Sequence, residues 1–104
     1  MTDLCSIHDI EEAKSKGFDS HQGPVFVVKK DDVIFVYKNV CPHLGVNLEF
    51  QEDEFLDQDG ALIECSTHGA LFEIESGHCL AGPCQGEYLA AVEFKIENDI
   101  VKVI

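Results

Sequence analysis

Four stretches of the chain predict β-strands arranged as two hairpins. Residues 24–28 and 33–37 are rich in β-branched and aromatic side chains and enclose a polar segment, which is typical of two antiparallel strands joined by a turn. Residues 91–97 and 100–104 alternate apolar and polar side chains around Asn98-Asp99, a pair that favours a tight turn. Antiparallel strands are therefore expected on both sides of the middle of the chain.

The middle of the chain has a more interrupted pattern. Residues 61–64 predict a short strand, and residues 71–75 alternate apolar and acidic side chains as a half-buried strand does. Residues 49–59 carry six acids and no base, which favours a solvated excursion over a core element or a docking site. Residues 77–86 contain three glycines, one proline and two cysteines and are expected to form a loop. Residues 9–17 have a capping pattern and a glycine stop that predict a short helical turn.

Length and charge narrow the classes of function. A chain of 104 residues is long enough for one compact domain, 1–104, and too short for a second catalytic one. The formal net charge is -13, from twenty acidic residues against seven lysines and no arginine. Nucleic acid and anionic membranes would repel such a protein, so its partners are expected to be proteins that carry a basic face. No small-molecule substrate is expected.

The N-terminus and the cysteines indicate the compartment. The first residues are polar and acidic, so they predict no signal peptide, and no apolar run is long enough to span a bilayer. Five cysteines are an odd number, which argues against a secreted disulfide framework. We therefore expect a cytoplasmic protein in which cysteines bind a metal.

Two short motifs carry the candidate chemistry. Each supplies one thiolate and one imidazole: Cys41-Pro42-His43 and, after residues 44–64, Cys65-Ser66-Thr67-His68. Two thiolates and two neutral imidazoles would divide a [2Fe-2S] cluster into unlike irons, of which the imidazole-bound iron is easier to reduce. The main alternative is structural zinc, although zinc motifs usually space the first pair by two to four residues. A nucleophilic Cys/His pair is less favoured because no orienting third group is recognisable.

The two motifs resemble those of the Rieske family, C-x-H followed by C-x-x-H. The resemblance implies that Cys41 and Cys65 bind one iron and that His43 and His68 bind the other. It also implies an all-β, antiparallel sandwich or barrel base with an inserted, loop-rich cluster-binding subdomain. On this analogy the insertion spans residues 40–85, and the base is formed by 1–39 and 86–104.

Departures from high-potential Rieske proteins predict a low reduction potential. Those proteins carry an extra cysteine in each ligand loop, where this chain has Val46 and Thr67, and a serine and a tyrosine where it has Ala70 and Phe72. Each missing hydrogen-bond donor removes stabilisation from the reduced cluster, so we expect a potential of roughly -150 mV rather than about +300 mV. This is similar to the soluble ferredoxins of bacterial aromatic-ring dioxygenases.

The resemblance implies a one-electron carrier between a reductase and a terminal oxygenase or another acceptor, and not an enzyme. Two alternatives stay open: an accessory small subunit of a nitrite-reductase-type complex, and a redox-sensing module. Gly82-Pro83 stands where the family has a proline-bearing loop over the cluster, although an ordinary turn has equal weight.

The other cysteines and histidines have simpler interpretations. Cys79 and Cys84 are expected to be buried thiols rather than a disulfide, and Cys5 a plain thiol in a first turn. The three histidines outside the motifs lack partner spacing and are expected at the surface: His8, His21 and His78.

Overall fold

The computed structural model describes residues 1–40, 55–57, 59–65, 69–82 and 85–104. Within these ranges the regular elements are β-strands and one short 3-10 helix, Ile7–Asp9, which confirms the all-β prediction. The strands are β1 Thr2–Ser6, β2 Lys14–Ser20, β3 Gly23–Lys30, β4 Val33–Lys38, β5 Leu62–Glu64, β6 Leu71–Glu73, β7 Cys79–Ala81, β8 Phe94–Glu97 and β9 Ile100–Val103. In the same part of the chain no helix is long and apolar enough to cross a membrane.

The strands form three antiparallel sheets, and both predicted hairpins are confirmed. The strand orders are β1-β9-β8, β2-β3-β4 and β5-β6-β7. The hairpins β3-β4 and β8-β9 turn at Asp31-Asp32 and Asn98-Asp99, where all four residues have φ between 52° and 65°. Two-residue hairpin turns need this left-handed conformation, which Asn and Asp tolerate better than other non-glycine residues. The polar pair at each turn therefore fixes where the hairpin reverses.

The strand β8 begins later than the alternating pattern indicates, because residues 90–92 pair with a different sheet. The amide of Lys38 donates to the carbonyl of Ala90 at 2.9 Å, and the amide of Val92 donates to the carbonyl of Val36 at 3.1 Å. The chain thus pairs with β4, in the sheet β2-β3-β4, before it enters β8, in the sheet β1-β9-β8. Residues 90–92 therefore connect these two sheets.

The central sheet β2-β3-β4 is buried on both faces, because alternate residues of β3 point into different cores. Val25 and Val27 belong to one cluster, and Phe26 and Val28 belong to the other. We call the first the aliphatic core; its buried members are Ile10, Val25, Val27, Ile34, Val36, Val92, Val101 and Val103. We call the second the aromatic core; its fully buried members are Phe26, Val28, Tyr37, Phe55, Ile63, Cys65, Ala70, Phe72, Ile74, Cys79 and Leu89.

The helical turn predicted over residues 9–17 is wrong. The only helical turn in the described chain is the earlier 3-10 helix, which begins after Ser6, whose hydroxyl accepts a hydrogen bond from the amide of His8. Residues from Lys14 onward form β2 and pair with β3 along its length. Backbone pairing with a buried neighbour outweighs the local capping signal. Cys5 likewise lies in a strand, β1, and not in a turn.

Glu12 caps a hairpin instead of a helix. Its carboxylate accepts hydrogen bonds from the backbone amides of Asp31 and Asp32, at 2.8 and 3.1 Å. These two bonds hold the pKa of the Glu12 carboxyl below its usual range. Glu12, which belongs to the capping pattern that predicted a helical turn, therefore stabilises the turn between β3 and β4.

Two predictions for the middle of the chain also need correction. Residues 77–86 are not all loop, since Cys79–Ala81 forms β7 and pairs with β6. The acidic stretch 49–59 is not wholly solvated, since Phe55 is completely buried in the aromatic core. Phe55 lies in a run that is rich in acids, and β7 lies in a run that contains three glycines, so composition alone does not reveal either. The predicted strand over 71–75 is confirmed as the shorter Leu71–Glu73.

Candidate functional site

Cys65 is the one predicted ligand that lies within the described residues. It follows β5 directly and is completely buried in the aromatic core. Its backbone amide donates to the carbonyl of Ala70 at 2.8 Å, and its carbonyl accepts from the amide of Gly69 at 2.8 Å. These two bonds link Cys65 to the two residues that precede β6, and we call Cys65, Gly69 and Ala70 the second ligand turn. The other predicted ligands lie outside the described residues: Cys41, His43 and His68.

The two positions that predict a low potential are close to this turn. Ala70 ends it and is 1% exposed, and Phe72 lies in β6 and is completely buried. Phe72 faces Ile63 on one neighbouring strand and Cys79 on the other. Neither Ala70 nor Phe72 has a hydroxyl, so neither side chain can donate a hydrogen bond to sulfur. Val46 and Thr67 lie outside the described residues.

Residues 55–57 belong to the acidic stretch and run alongside β5, with Phe55 next to the end of β5 that leads to Cys65. The carbonyl of Phe55 accepts a hydrogen bond from the amide of Glu64 at 2.9 Å, and the amide of Asp57 donates to the carbonyl of Leu62 at 2.9 Å. The ring of Phe55 stacks on that of Phe26, with centroids 4.3 Å apart. Phe55 therefore anchors the chain beside the strand that leads to Cys65. The signal that could have found this anchor is the pair of apolar residues Phe55-Leu56 within the acidic run.

A third segment touches the second ligand turn. Gly82 has φ +105°, and a Cβ atom placed on it would lie 2.7 Å from the Cα of Ala70 and 2.9 Å from the Cβ of Ala70. The residues just before and after this contact, Ala81 and Leu71, face each other in the β6-β7 ladder. The backbone at Gly82 thus packs directly on the end of the turn. Pro83 and Cys84, the rest of the predicted covering loop, lie outside the described residues.

Tyr37 joins the central sheet to the β6-β7 region, a role that the sequence did not indicate. Its hydroxyl is buried and donates a hydrogen bond to the carbonyl of Ile74 at 2.6 Å. Burial, and to a smaller degree the charge of Glu75, raises the pKa of Tyr37 to about 12. The phenol is therefore neutral and serves as a fixed donor inside the aromatic core.

Among the described residues, no three histidine, cysteine or acidic side chains come together in a way that could hold a metal ion. Cys79 is buried as expected, and its thiol donates to the carbonyl of Ala81 at 3.2 Å. Cys5 is half-buried, and burial raises the pKa of its thiol. His8 and His21 are exposed as predicted. His78 is only partly exposed, because its ring stacks on that of Tyr88 with centroids 4.8 Å apart.

Positive and negative charges are distributed unevenly along the fold. Residues 39–94 contain eleven acids and no lysine or arginine. All seven lysines lie on β2, β3, β4, β8 and β9: Lys14, Lys16, Lys29, Lys30, Lys38, Lys95 and Lys102. Lys30 approaches the carbonyl of Gly60 at 3.4 Å, and Gly60 lies in the turn before β5, whereas Cys65 follows β5. Positive charge is therefore present at the end of β5 that is farther from Cys65.

The donor set fits an iron-sulfur cluster on its chemistry. Thiolates of cysteine and neutral imidazoles of histidine are the ligands of Rieske-type centres. The one described ligand, Cys65, has its thiol in an apolar core and its backbone held by two hydrogen bonds. A buried cysteine whose backbone is held by two hydrogen bonds is suited to binding a cluster.

Comparison with known proteins also indicates an iron-sulfur cluster. A family model described as the Rieske [2Fe-2S] domain matches residues 1–100. The ferredoxin component of the p-cumate 2,3-dioxygenase system of Pseudomonas putida is 31% identical over 88 residues, which are 82% of this chain and 70% of that protein. Among solved structures, the Sphingomonas yanoikuyae B1 ferredoxin has a TM-score of 0.76 at 27% identity and covers 97% of this chain and 94% of its own.

A further solved structure is a complex of reduced oxygenase and oxidised ferredoxin in carbazole 1,9a-dioxygenase. Its matching chain has a TM-score of 0.76 at 22% identity, with 97% of this chain and 89% of that chain covered. At this identity the likeness shows a shared fold. The chain belongs to the Rieske [2Fe-2S] family and is a ferredoxin-type one-electron carrier that holds a [2Fe-2S] cluster, not a catalytic subunit.

Proposed function

We propose that Cys41 and Cys65 bind one iron of the cluster and that His43 and His68 bind the other. The supporting observation is the placement of Cys65, which is buried and fixed at the end of β5 by two backbone hydrogen bonds. When bound, the cluster supplies reversible one-electron chemistry. The residues around Cys65 exclude water from its sulfur and offer no side-chain hydroxyl from position 70 or 72. We assign the cluster-binding insertion to residues 40–85 and the base to 1–39 and 86–104.

The proposed route of the electron runs from a reductase to a terminal oxygenase in the cytoplasm. A relative 31% identical is the ferredoxin component of a dioxygenase system, and a chain with the same fold occurs in a complex of oxygenase and ferredoxin. These findings favour the carrier over an accessory subunit of a nitrite-reductase-type complex and over a redox sensor. The absence of hydroxyls at Ala70 and Phe72 supports a reduction potential at the low end of the Rieske range, roughly -150 mV.

The partner is proposed to meet the cluster-bearing end through a basic face. Residues 39–94 carry eleven acids and no lysine or arginine, and exposed Glu64 directly precedes Cys65. Opposite charge on the partner would accelerate encounter and orient it towards this end of the molecule. The lysines on the base would disfavour docking of the same basic face at the opposite end.

The ligand assignment is tested by purifying the protein anaerobically and recording its metal content and its low-temperature EPR spectrum after dithionite reduction. We expect two irons per chain and a rhombic signal with an average g value below that of the free electron. Cys65→Ser should abolish the signal, whereas the matched control Cys5→Ser, on β1, should retain it. A colourless protein that contains zinc would refute the assignment.

The docking proposal is tested with the reductase and oxygenase of the p-cumate 2,3-dioxygenase system, using this protein in place of their own ferredoxin. The rate of electron transfer should fall severalfold between about 0.01 M and about 0.15 M ionic strength, over which the Debye length shortens from about 30 Å to about 8 Å. Glu64→Gln should weaken this dependence. The control Asp32→Asn, in the hairpin turn beyond Lys30, should leave it unchanged. A rate independent of salt, or equal effects of both variants, would contradict a basic docking face.

A further inference from the structure

We propose that Leu80 and Tyr88 form an apolar contact surface for the terminal oxygenase, and that this contact holds the two proteins together after opposite charges have brought them near. We call these two side chains the outer patch. The inference rests on the proposed function, in which the protein delivers an electron to an oxygenase that carries a basic face. It adds the residues that set the affinity of that complex.

The outer patch lies on the solvent side of β7. Cys79 points into the aromatic core, and successive side chains of a strand alternate between its two faces, so His78 and Leu80 point outwards. Leu80 is 41% exposed. Tyr88 is 60% exposed, and its ring stacks on that of His78 with centroids 4.8 Å apart. Tyr88 therefore lies on the same outer face as Leu80.

Tyr88 is held in place although it is exposed. Its backbone forms an antiparallel bridge with His78, and the amide of the next residue, Leu89, donates to the carbonyl of Gly77 at 2.8 Å. Leu89 itself is buried in the aromatic core. An aromatic side chain that is already ordered loses little conformational entropy on binding, and tyrosine is enriched among the residues that dominate interface energies. Tyr88 is therefore suited to anchor a protein contact.

The rim of the outer patch is acidic. Glu73, on β6, lies beside His78, with 3.8 Å between its Oε1 and the Nδ1 of His78, and exposed Glu87 precedes Tyr88. An apolar centre with a polar rim is the usual anatomy of a protein interface. An acidic rim complements the basic face proposed for the oxygenase, whereas a second copy of this chain, with its net charge of -13, would be repelled.

The outer patch is close to the second ligand turn. Leu71 begins β6 directly after that turn, and it faces Glu64 on β5 and Ala81 on β7. Leu80 is thus two strand spacings, roughly 10 Å, from the strand that leads to Cys65. A partner seated on the outer patch would therefore reach the edge at which the cluster is proposed to bind.

The test measures the rate at which the reduced protein passes its electron to the oxygenase of the p-cumate 2,3-dioxygenase system, at increasing concentrations of this protein. Tyr88→Ala should raise the half-saturating concentration about 30-fold, the ratio that corresponds to an interface hot spot, and Leu80→Ala should raise it about fivefold. The limiting rate and the EPR spectrum should not change. Tyr88→Phe keeps the ring and should behave as the wild-type protein does.

Ile96→Ala, on β8, is the matched control for Leu80→Ala. Ile96 is 47% exposed and has a side chain of the same size, and its removal should change the half-saturating concentration by less than about twofold. The effect of Tyr88→Ala should be equal at about 0.01 M and about 0.15 M ionic strength, since salt screens charges and not apolar contacts. Leu80→Ala decides the matter if Tyr88→Ala assembles no cluster, since it leaves the stacked rings in place.

Equal effects of the patch variants and Ile96→Ala would overturn the proposal, and so would an effect of Tyr88→Ala on electron transfer from the reductase alone. A wild-type dimer in analytical ultracentrifugation that Tyr88→Ala abolishes would assign the outer patch to a second copy instead. These outcomes are distinct from failure of the proposed function, in which the wild-type protein would itself transfer no electron to the oxygenase and the inference would fail with it.

Discussion

The two faces of the central sheet are packed with different chemistry. On one face, all the fully buried residues of the aliphatic core are valine or isoleucine. On the other, the aromatic core combines four aromatic residues, two cysteines and a buried tyrosine hydroxyl with its carbonyl partner. The aliphatic core joins strands from both ends of the chain, whereas the aromatic core receives the segments between β4 and β8.

The aliphatic core contributes to stability alone, whereas the aromatic core contributes to stability and also contains a proposed ligand of the cluster. The aliphatic core contains side chains whose burial is favourable without any partner. The aromatic core contains polar groups that need specific partners, and Cys65 is one of its members. We therefore expect the first core to tolerate conservative changes with a loss of stability alone, and the second to couple the same changes to the cluster.

The largest effect is expected from Phe55→Ala in the aromatic core. This change removes the ring stacked on Phe26 and should lower the free energy of unfolding by about 3–5 kcal/mol. Because the Phe55 carbonyl accepts a hydrogen bond from the amide of Glu64, the residue before Cys65, the EPR spectrum should change as well.

The control Val27→Ala, in the aliphatic core, should lower the free energy of unfolding by about 2 kcal/mol and leave the spectrum unchanged. Urea unfolding and EPR of both variants measure the contrast. A spectrum altered equally by both would remove the distinction between the cores.

A smaller effect is expected when hydroxyls are introduced next to Cys65. Ala70→Ser combined with Phe72→Tyr should raise the reduction potential, by about 20–60 mV for each hydroxyl that donates to sulfur. Protein-film voltammetry measures the shift. Val36→Thr places a hydroxyl in the aliphatic core and should lower stability without moving the potential. An unchanged or lower potential in the double variant would show that these two side chains do not reach sulfur.

The smallest effect concerns the buried hydroxyl of Tyr37. Tyr37→Phe leaves the carbonyl of Ile74 without its donor and should cost about 1 kcal/mol. The folded state raises the pKa of Tyr37 from 10.0 to about 12, so the neutral phenol stabilises the fold fully below pH 10. That contribution is lost as the pH rises from 10 to about 12.

The wild-type protein should therefore lose stability over this pH interval more steeply than Tyr37→Phe, as measured by urea unfolding in matched buffers. Tyr88→Phe, at an exposed position, should follow the wild-type curve. If the wild-type and Tyr37→Phe curves run parallel, the phenol does not titrate as the structure indicates.

The hairpins and the ligand motifs could be predicted because their signals are local. The turn pairs Asp31-Asp32 and Asn98-Asp99 lie between regular apolar patterns, and each ligand motif is contained within a few residues. The resemblance to the Rieske family then indicates that the two motifs bind one cluster together. The structure describes Cys65 alone among the four ligands, so the complete ligand set stays a prediction.

The rest could not be predicted because it depends on contacts between distant residues. β2 is a polar segment that becomes a strand by pairing with buried β3, and β7 is a glycine- and cysteine-rich segment that pairs with β6. Phe55 looks solvated among acids until its ring meets Phe26. The approach of Gly82 to Ala70 likewise leaves no trace in the pattern of either segment.

The restriction of lysine to five strands of the base has a practical consequence. The primary amines of the sequence are those seven side chains and the amino group of Met1, so amine-coupling chemistry attaches the protein to a resin or an electrode at points that all lie outside residues 39–94. Trypsin, which cuts after lysine and arginine, releases residues 39–95 as a single peptide that contains all four proposed ligands.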